Sequence, residues 1–143
     1  MTQKLFEKIL VATDGSEKNK PAIAEALRIG RECKAEIHAV YVIDIGIFES
    51  ASAGASAADA WALLQSEAAT ALAQVKSRAD GITLETVILE GHPAAQIVKY
   101  ATEQKIDLIV IGTQGKKGIE RLLLGSVAES VIRSAPCRIL VVK

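Results

Sequence analysis

The stretch "LIVIGTQGKKGIERLLLGS", residues 108–126, carries three glycines near its start and a Gly-Ser pair at its close. Its first four residues, Leu108, Ile109, Val110 and Ile111, read as a short buried strand. From Ser126 onward the apolar spacing turns helical, with Val127, Val131 and Ile132 expected to face inward. The glycines therefore lie between a strand and a helix. Glycine costs backbone entropy on folding, so a loop this rich in it needs a compensating use. One use is to let main-chain N–H groups converge on an anion without Cβ clashes. Gly125 and Ser126 open the helix, whose first N–H groups are unpaired and carry partial positive charge. Together these features make a phosphate site. Ser126 can cap the helix, and its hydroxyl can also donate to a phosphate. A long turn closed by a serine cap explains the same residues without a ligand. The place of the loop in the fold separates the two readings.

Working outward, residues 8–13, "KILVAT", read as a first strand ending at the polar turn "DGSEKN". A helix follows over 20–32, with Pro21 suited to its first turn and Ala22, Ile23, Ala26, Leu27 and Gly30 as its apolar stripe. Residues 35–44, "AEIHAVYVID", are a second strand. Residues 45–58, rich in Ala, Ser and Gly, read as an irregular loop. Helical spacing returns over 59–79 through Trp61, Leu64, Ala68, Leu72, Val75 and Ala79. A third strand spans 82–90. Pro93 opens a helix with Ile97, Val98 and Ala101 on one face, and 137–142, "CRILVV", closes the chain as a fifth strand.

Strands and helices alternate throughout, which predicts an α/β fold: a parallel sheet with helices on both faces, a Rossmann-like open sandwich. Right-handed crossovers leave few topologies, and 3-2-1-4-5 is the natural order for five strands. The first and fourth strands are then neighbours, and the winding reverses between them. Ligands of such sheets bind at the carboxyl ends of the strands beside that reversal. Thr13-Asp14-Gly15 and the glycine stretch both fall there.

With 143 residues the chain has the length of a single domain over 1–143, large enough to bury roughly 70% of its unfolded surface. Half the residues are hydrophobic but only 3% are aromatic, so the core is built from Ala, Val, Ile and Leu. The formal net charge is zero, which gives no basic stripe for nucleic acid. No apolar run approaches a membrane span, and the charged start "MTQKLFEK" is no signal peptide, so a cytoplasmic location is expected. Cys33 and Cys137 lack metal-ligand spacing and read as small core residues.

The glycine loop matches neither a Walker A sequence nor G-x-G-x-x-G. Its own pattern is Gly112-x-x-Gly115, nine residues, then Gly125-Ser126. That pattern after the fourth strand resembles the nucleotide-binding branch of the universal stress protein family. "KILVATDGSEKNKPAIAEAL", "VYVID" and the closing segment from Leu108 to Lys143 are similar to the corresponding segments of the family. The resemblance covers nearly the whole chain. It implies ATP binding and a stress-linked regulator or switch, with hydrolysis at most slow. By the resemblance, Asp14 sits near the ribose-phosphate region and Val42 is the second-strand position whose backbone reads adenine. Ile111 lines the pocket, and Gly112, Gly115, Gly125, Ser126 and Val127 form the phosphate and ribose loop. It also implies a homodimer through the last strand, Cys137 to Lys143, which the expected order leaves at an unprotected sheet edge.

The residues themselves agree with this reading but leave alternatives. Val40 and Val42 share one side of a strand and suit a purine. Asp14 suits a ribose hydroxyl or a divalent cation, Mg or Mn, bridging phosphates; it equally suits a cap for its own turn. Lys116, Lys117 and Arg121 offset phosphate charge or lie on a solvated face. His38 and His92 read as structural or surface residues with no second ligand in view. No placed general base or arginine finger is evident, and G-x-S-x-G is absent. A dimeric scaffold with a vestigial pocket, and a slow ATPase completed by a partner, remain the other function classes.

Overall fold

Residues 8–12 are apolar at every central position, and the chain buries them on both faces. In the computed structural model, which describes residues 4–51, 56–113 and 124–143, they form β1 (Lys8–Ala12), with Ile9, Leu10 and Val11 wholly shielded. A parallel strand covered on both faces reads as a continuous apolar run for this reason. After it come α1 (Lys20–Cys33), β2 (Glu36–Asp44), α2 (Ile45–Ala51) and α3 (Ala57–Ser77). The chain continues through β3 (Leu84–Gly91), α4 (Pro93–Glu103), β4 (Leu108–Gly112), α5 (Ser126–Ser134) and β5 (Arg138–Val142). The five strands are all parallel, in the order β3-β2-β1-β4-β5. The expected fold class and strand order both hold.

Two apolar layers flank the sheet. On one face Ile9, Val11, Ile37 and Ala39 meet Ala26 and Leu27 of α1 and Ala68, Leu72 and Val75 of α3. On the other, Leu10, Val40, Ile109 and Ile111 meet Ile97 and Ala101 of α4 and Ala128 and Val131 of α5. Alternation along each strand assigns successive residues to opposite layers. The layers are thin where α1 crosses: a Cβ on Gly30 would lie 2.6 Å from Cδ1 of Ile37. The helix packs this closely because glycine stands there.

Three expectations need correction. Residues 45–51 are helical rather than irregular, and α3 begins at Ala57. Phe48 of α2 sets its ring edge-on against Trp61 of α3, with centroids 5.2 Å apart. This long-range aromatic pair is invisible to local composition. In α5 the buried residues are Ala128 and Val131, while Val127 and Ile132 are 39% and 43% exposed. The helix sits on the sheet through a narrow i, i+3 seam, and its two larger flanking residues straddle that seam. Finally, Cys33 and Cys137 are only partly buried, at the margins of the two layers.

Candidate functional site

The carboxyl ends of β1, β2 and β4 lie together because the ladder of β1 stops early. Its pairing with β2 ends at Ala12↔Val40 and with β4 at Val11↔Val110, whereas β2 runs on to Asp44. Thr13 N–H donates to the Val40 carbonyl at 2.9 Å, so main-chain groups of Val40 point toward β1. Those of Val42, two residues on, point the same way, beyond the last paired residue of β1. Val42 is half-buried on the α4–α5 layer, the same layer as buried Ile111, with β1 between their strands. An apolar wall with main-chain donors and acceptors at its edge is the make-up of a small-molecule site.

On β4, Thr113 N–H donates to the Val142 carbonyl at 3.2 Å. By the same alternation, the main-chain groups of Gly112 face the β1 side. The chain returns at Gly125, whose N–H donates to the Thr113 carbonyl at 2.5 Å. This bond brings Gly112 and the start of α5 together, although they are far apart in sequence. Gly125 itself is the N-cap residue, in an extended conformation (φ −72°, ψ 163°) with no side-chain cap. Ser126 is the first helical residue, so the expected serine cap gives way to a glycine cap. Ser126 and Val127 are exposed at this helix start. Gly115, with Lys116, Lys117 and Arg121, lies outside the described residues.

Asp14 closes the turn after β1. Its Oδ1 accepts from Ser16 N–H at 2.9 Å and from the Ser16 hydroxyl at 2.6 Å. The turn-capping reading of Asp14 therefore holds, and it leaves the carboxylate half-buried at the mouth of the crevice. Gly15 adopts φ +79°, where L side chains are strained, and a Cβ there would stand 3.3 Å from Cβ of Ala71. A cleft of about 310 Å3 borders Asp14 and Gly15, lined also by Ser66, Thr70, Ala71 and Gln74. It opens toward α3, on the layer opposite Val42 and Ile111.

Two features escape the sequence reading. Asn19 is 5% exposed; its amide donates to the Ala12 carbonyl at 3.2 Å, and its Oδ1 is buried without a partner. His38, read as lacking a second ligand, has Glu36 and Glu85 beside it. Strand periodicity puts Glu36 and His38 on one face, so half of that grouping was legible; Glu85 arrives only through the β2–β3 register.

Among the described residues, no helix is long and apolar enough to cross a membrane.

Residues 5–143 match the model of the universal stress protein family. A universal stress protein of Methanocaldococcus jannaschii, MJ0531, is 46% identical over 143 residues, covering 99% of this chain and 84% of the relative. The solved structure of the hypothetical protein MJ0577 superposes with a TM-score of 0.85 at 30% identity, covering 97% of this chain and 96% of that one. A universal stress protein solved in complex with cAMP superposes with a TM-score of 0.69 at 26% identity, covering 96% of both chains. Strand order, connectivity and these matches over almost the full length lead to one conclusion: the chain belongs to the universal stress protein family.

Proposed function

We propose that the protein binds ATP in the crevice at the carboxyl ends of β1, β2 and β4 and acts as a nucleotide-dependent stress regulator. The observation that carries this reading is the convergence there of main-chain positions that the β1 ladder leaves unpaired among the described residues. Val42 and Gly112 face the space beyond β1, and the Gly125–Thr113 hydrogen bond holds the start of α5 at the same place. The apolar pair Val42 and Ile111 suits a purine, and Val42 main-chain groups suit its edge. Gly112, Gly115, Gly125, Ser126 and Val127 suit the ribose and phosphates, since a helix start favours negative charge. Asp14 accepts a ribose hydroxyl or holds Mg or Mn against the phosphates. The solved relative that carries cAMP supports an adenine nucleotide in this family. The function in this reading is binding, with hydrolysis slow at most; among the described residues no side chain of the crevice is paired as a general base. The protein is cytoplasmic in this reading and dimerises through β5, the sheet edge next to the crevice.

Calorimetry with ATP and GTP on the wild type and on Gly125→Val tests the site. Gly125 has an extended φ, so valine fits the backbone and circular dichroism should show an intact fold. ATP binding should weaken about 100-fold, on the order of 3 kcal/mol, because the Cβ branches block phosphate approach. Unchanged ATP affinity in the folded variant, or equal affinity for GTP in the wild type, would refute the assignment.

A further inference from the structure

At the other end of the sheet, beneath α4, side chains from three elements meet. Glu36 and His38 are two apart on β2 and so share a face. Glu85 is the register partner of His38 on β3, and parallel neighbours in register point the same way. His38 is 1% exposed. Its Nε2 is 2.9 Å from Oε1 of Glu36, and its Nδ1 is 3.8 Å from Oε2 of Glu85. One donor atom from each of the three residues lies within 4.8 Å of the others. The hydroxyl of Tyr100, on α4, is 2.6 Å from Nδ1.

We propose that Glu36, His38 and Glu85 form a binding site for a divalent first-row transition ion of the Zn2+ type, with Tyr100 as the outer partner of the imidazole.

A ring nitrogen and a carboxylate oxygen at 2.9 Å need a proton or a cation between them. With no ion, Nε2–H donates to Glu36 while the Tyr100 hydroxyl donates to Nδ1. With an ion, the ring proton resides on Nδ1 and is donated to the Tyr100 oxygen, and Nε2 turns its lone pair to the metal. An outer hydrogen bond of this kind fixes the tautomer of metal-binding histidines. Metal–nitrogen and metal–oxygen bonds of about 2.1 Å put two ligands of one ion roughly 3 to 3.4 Å apart. The Glu36–His38 pair needs little opening to reach that spacing. The Glu85 carboxylate stands nearer Nδ1 in the ion-free protein; being 59% exposed, it can swing to the ion as third ligand, and water completes the shell. One imidazole and two carboxylates, with no thiolate, suit Zn2+ rather than a soft monovalent ion. Two carboxylates beside one imidazole give the place the negative charge that favours a cation. His38 and Val42 are four residues apart on β2, roughly 13 Å along the strand, so this site is separate from the proposed nucleotide crevice and does not depend on it.

The test is calorimetric titration of chelator-treated, nucleotide-free protein with ZnCl2, with Co2+ absorption as an independent report of ligand field. Wild-type protein should bind one ion per chain with a dissociation constant tighter than about 10 μM. Glu36→Gln/Glu85→Gln keeps the shape of both side chains and should weaken binding at least 100-fold. Tyr100→Phe should weaken it roughly tenfold, as loss of an outer partner does. His38 is buried, so the folded carboxamide variant carries the decision. No saturable binding to the wild type overturns the proposal. So does binding that survives in the carboxamide variant and vanishes on replacing His92, Cys33 or Cys137. The Asp14→Asn variant should bind Zn2+ as the wild type does, which keeps the outcome independent of the nucleotide reading.

Discussion

The two ends of the parallel sheet are built from different parts of the chain. At the amino end, side chains add to main-chain links such as Glu36 N–H to the Glu7 carbonyl. Asp107 accepts from the N–H groups of Glu7 and Lys8 at 2.9 and 3.2 Å, and Glu36, His38 and Tyr100 form a hydrogen-bonded row. At the carboxyl end, the bonds that join strand to strand and strand to helix are main-chain, Thr13 to Val40, Thr113 to Val142, Gly125 to Thr113, while side-chain bonds such as Asp14 to Ser16 stay within their own turns. The contrast teaches where residue identity matters. A site lined by backbone tolerates almost any side chain that leaves room, so its signature in sequence is glycine and spacing. A site made of side chains depends on which residues stand where. The two ends should therefore answer mutation differently.

The largest expected effect is at the sheet edge nearest the crevice. Val142 uses its carbonyl toward β4, so the N–H of Val141 points outward from the last strand. In the dimer proposed above that N–H pairs with a second copy. Val141→Pro removes it while leaving the β4 side intact. Sedimentation should show a dimer for the wild type and a shift toward monomer for the variant. A monomeric wild type across its accessible concentration range would break the edge argument.

Next in size is the turn after β1. Gly15 stands at φ +79°, with Ala71 3.3 Å from where a Cβ would go. Gly15→Ala should lower unfolding free energy by about 1–3 kcal/mol, the range for a non-glycine residue held in that region. Denaturant titration measures it. A loss under about 0.5 kcal/mol, the usual size for a neutral surface change, would mean that the backbone rather than glycine tolerates the turn.

At the amino end, Tyr100→Phe should cost about 1 kcal/mol, the net worth of a typical hydrogen bond. This cost should also depend on pH. The Tyr100 phenol is raised in the folded protein above its ordinary 10.0 by burial and then by Glu85 and Glu36. A raised value favours the protonated folded form, so this stabilisation is complete below about 10 and is lost as pH rises through the higher folded value. Stability curves of the wild type and Tyr100→Phe should converge in that alkaline range. Parallel curves there would show that the phenol is not coupled to the cluster.

The smallest effect concerns Cys137, just ahead of β5. Burial first, and then Asp107, raise its thiol above the usual value, and a hydrogen bond from the Ile109 backbone only partly counters this. The thiolate is the reactive form. Alkylation by iodoacetamide at mildly alkaline pH should run a few-fold slower at Cys137 than at an unstructured peptide thiol, measured by mass spectrometry of the labelled protein. Equal rates would contradict the tethered, partly buried setting of this end.

Much of the architecture was legible in the sequence because the physics behind it is local. Continuous apolar runs such as "KILVA" and "LIVIG" are strands covered on both faces. Pro21 and Pro93 each stand in the first turn of a helix, where a missing N–H is harmless. Alternation of these elements, with the rule of right-handed crossovers, carried the reading to the observed strand order. The glycine spacing around Gly112 and Gly125, and the polar turn at Asp14, could be read for the same reason, since backbone requirements appear as residue types.

What only the tertiary structure decided rests on contacts between distant residues. The helix over Ile45–Ala51 has a composition suited to a loop, and Phe48 meets Trp61 to give it a packed face. The rotation of α5, which turns Val127 and Ile132 outward, follows from how that helix sits on the sheet rather than from its own periodicity. Glu85 reaches His38 because β2 and β3 pair in one register among several, and Tyr100 reaches it because α4 packs over both strands. Sequence by itself determines which segments can bury a face. Register, helix rotation and side-chain clusters are fixed only when all the faces must be buried at once, because close packing allows few solutions.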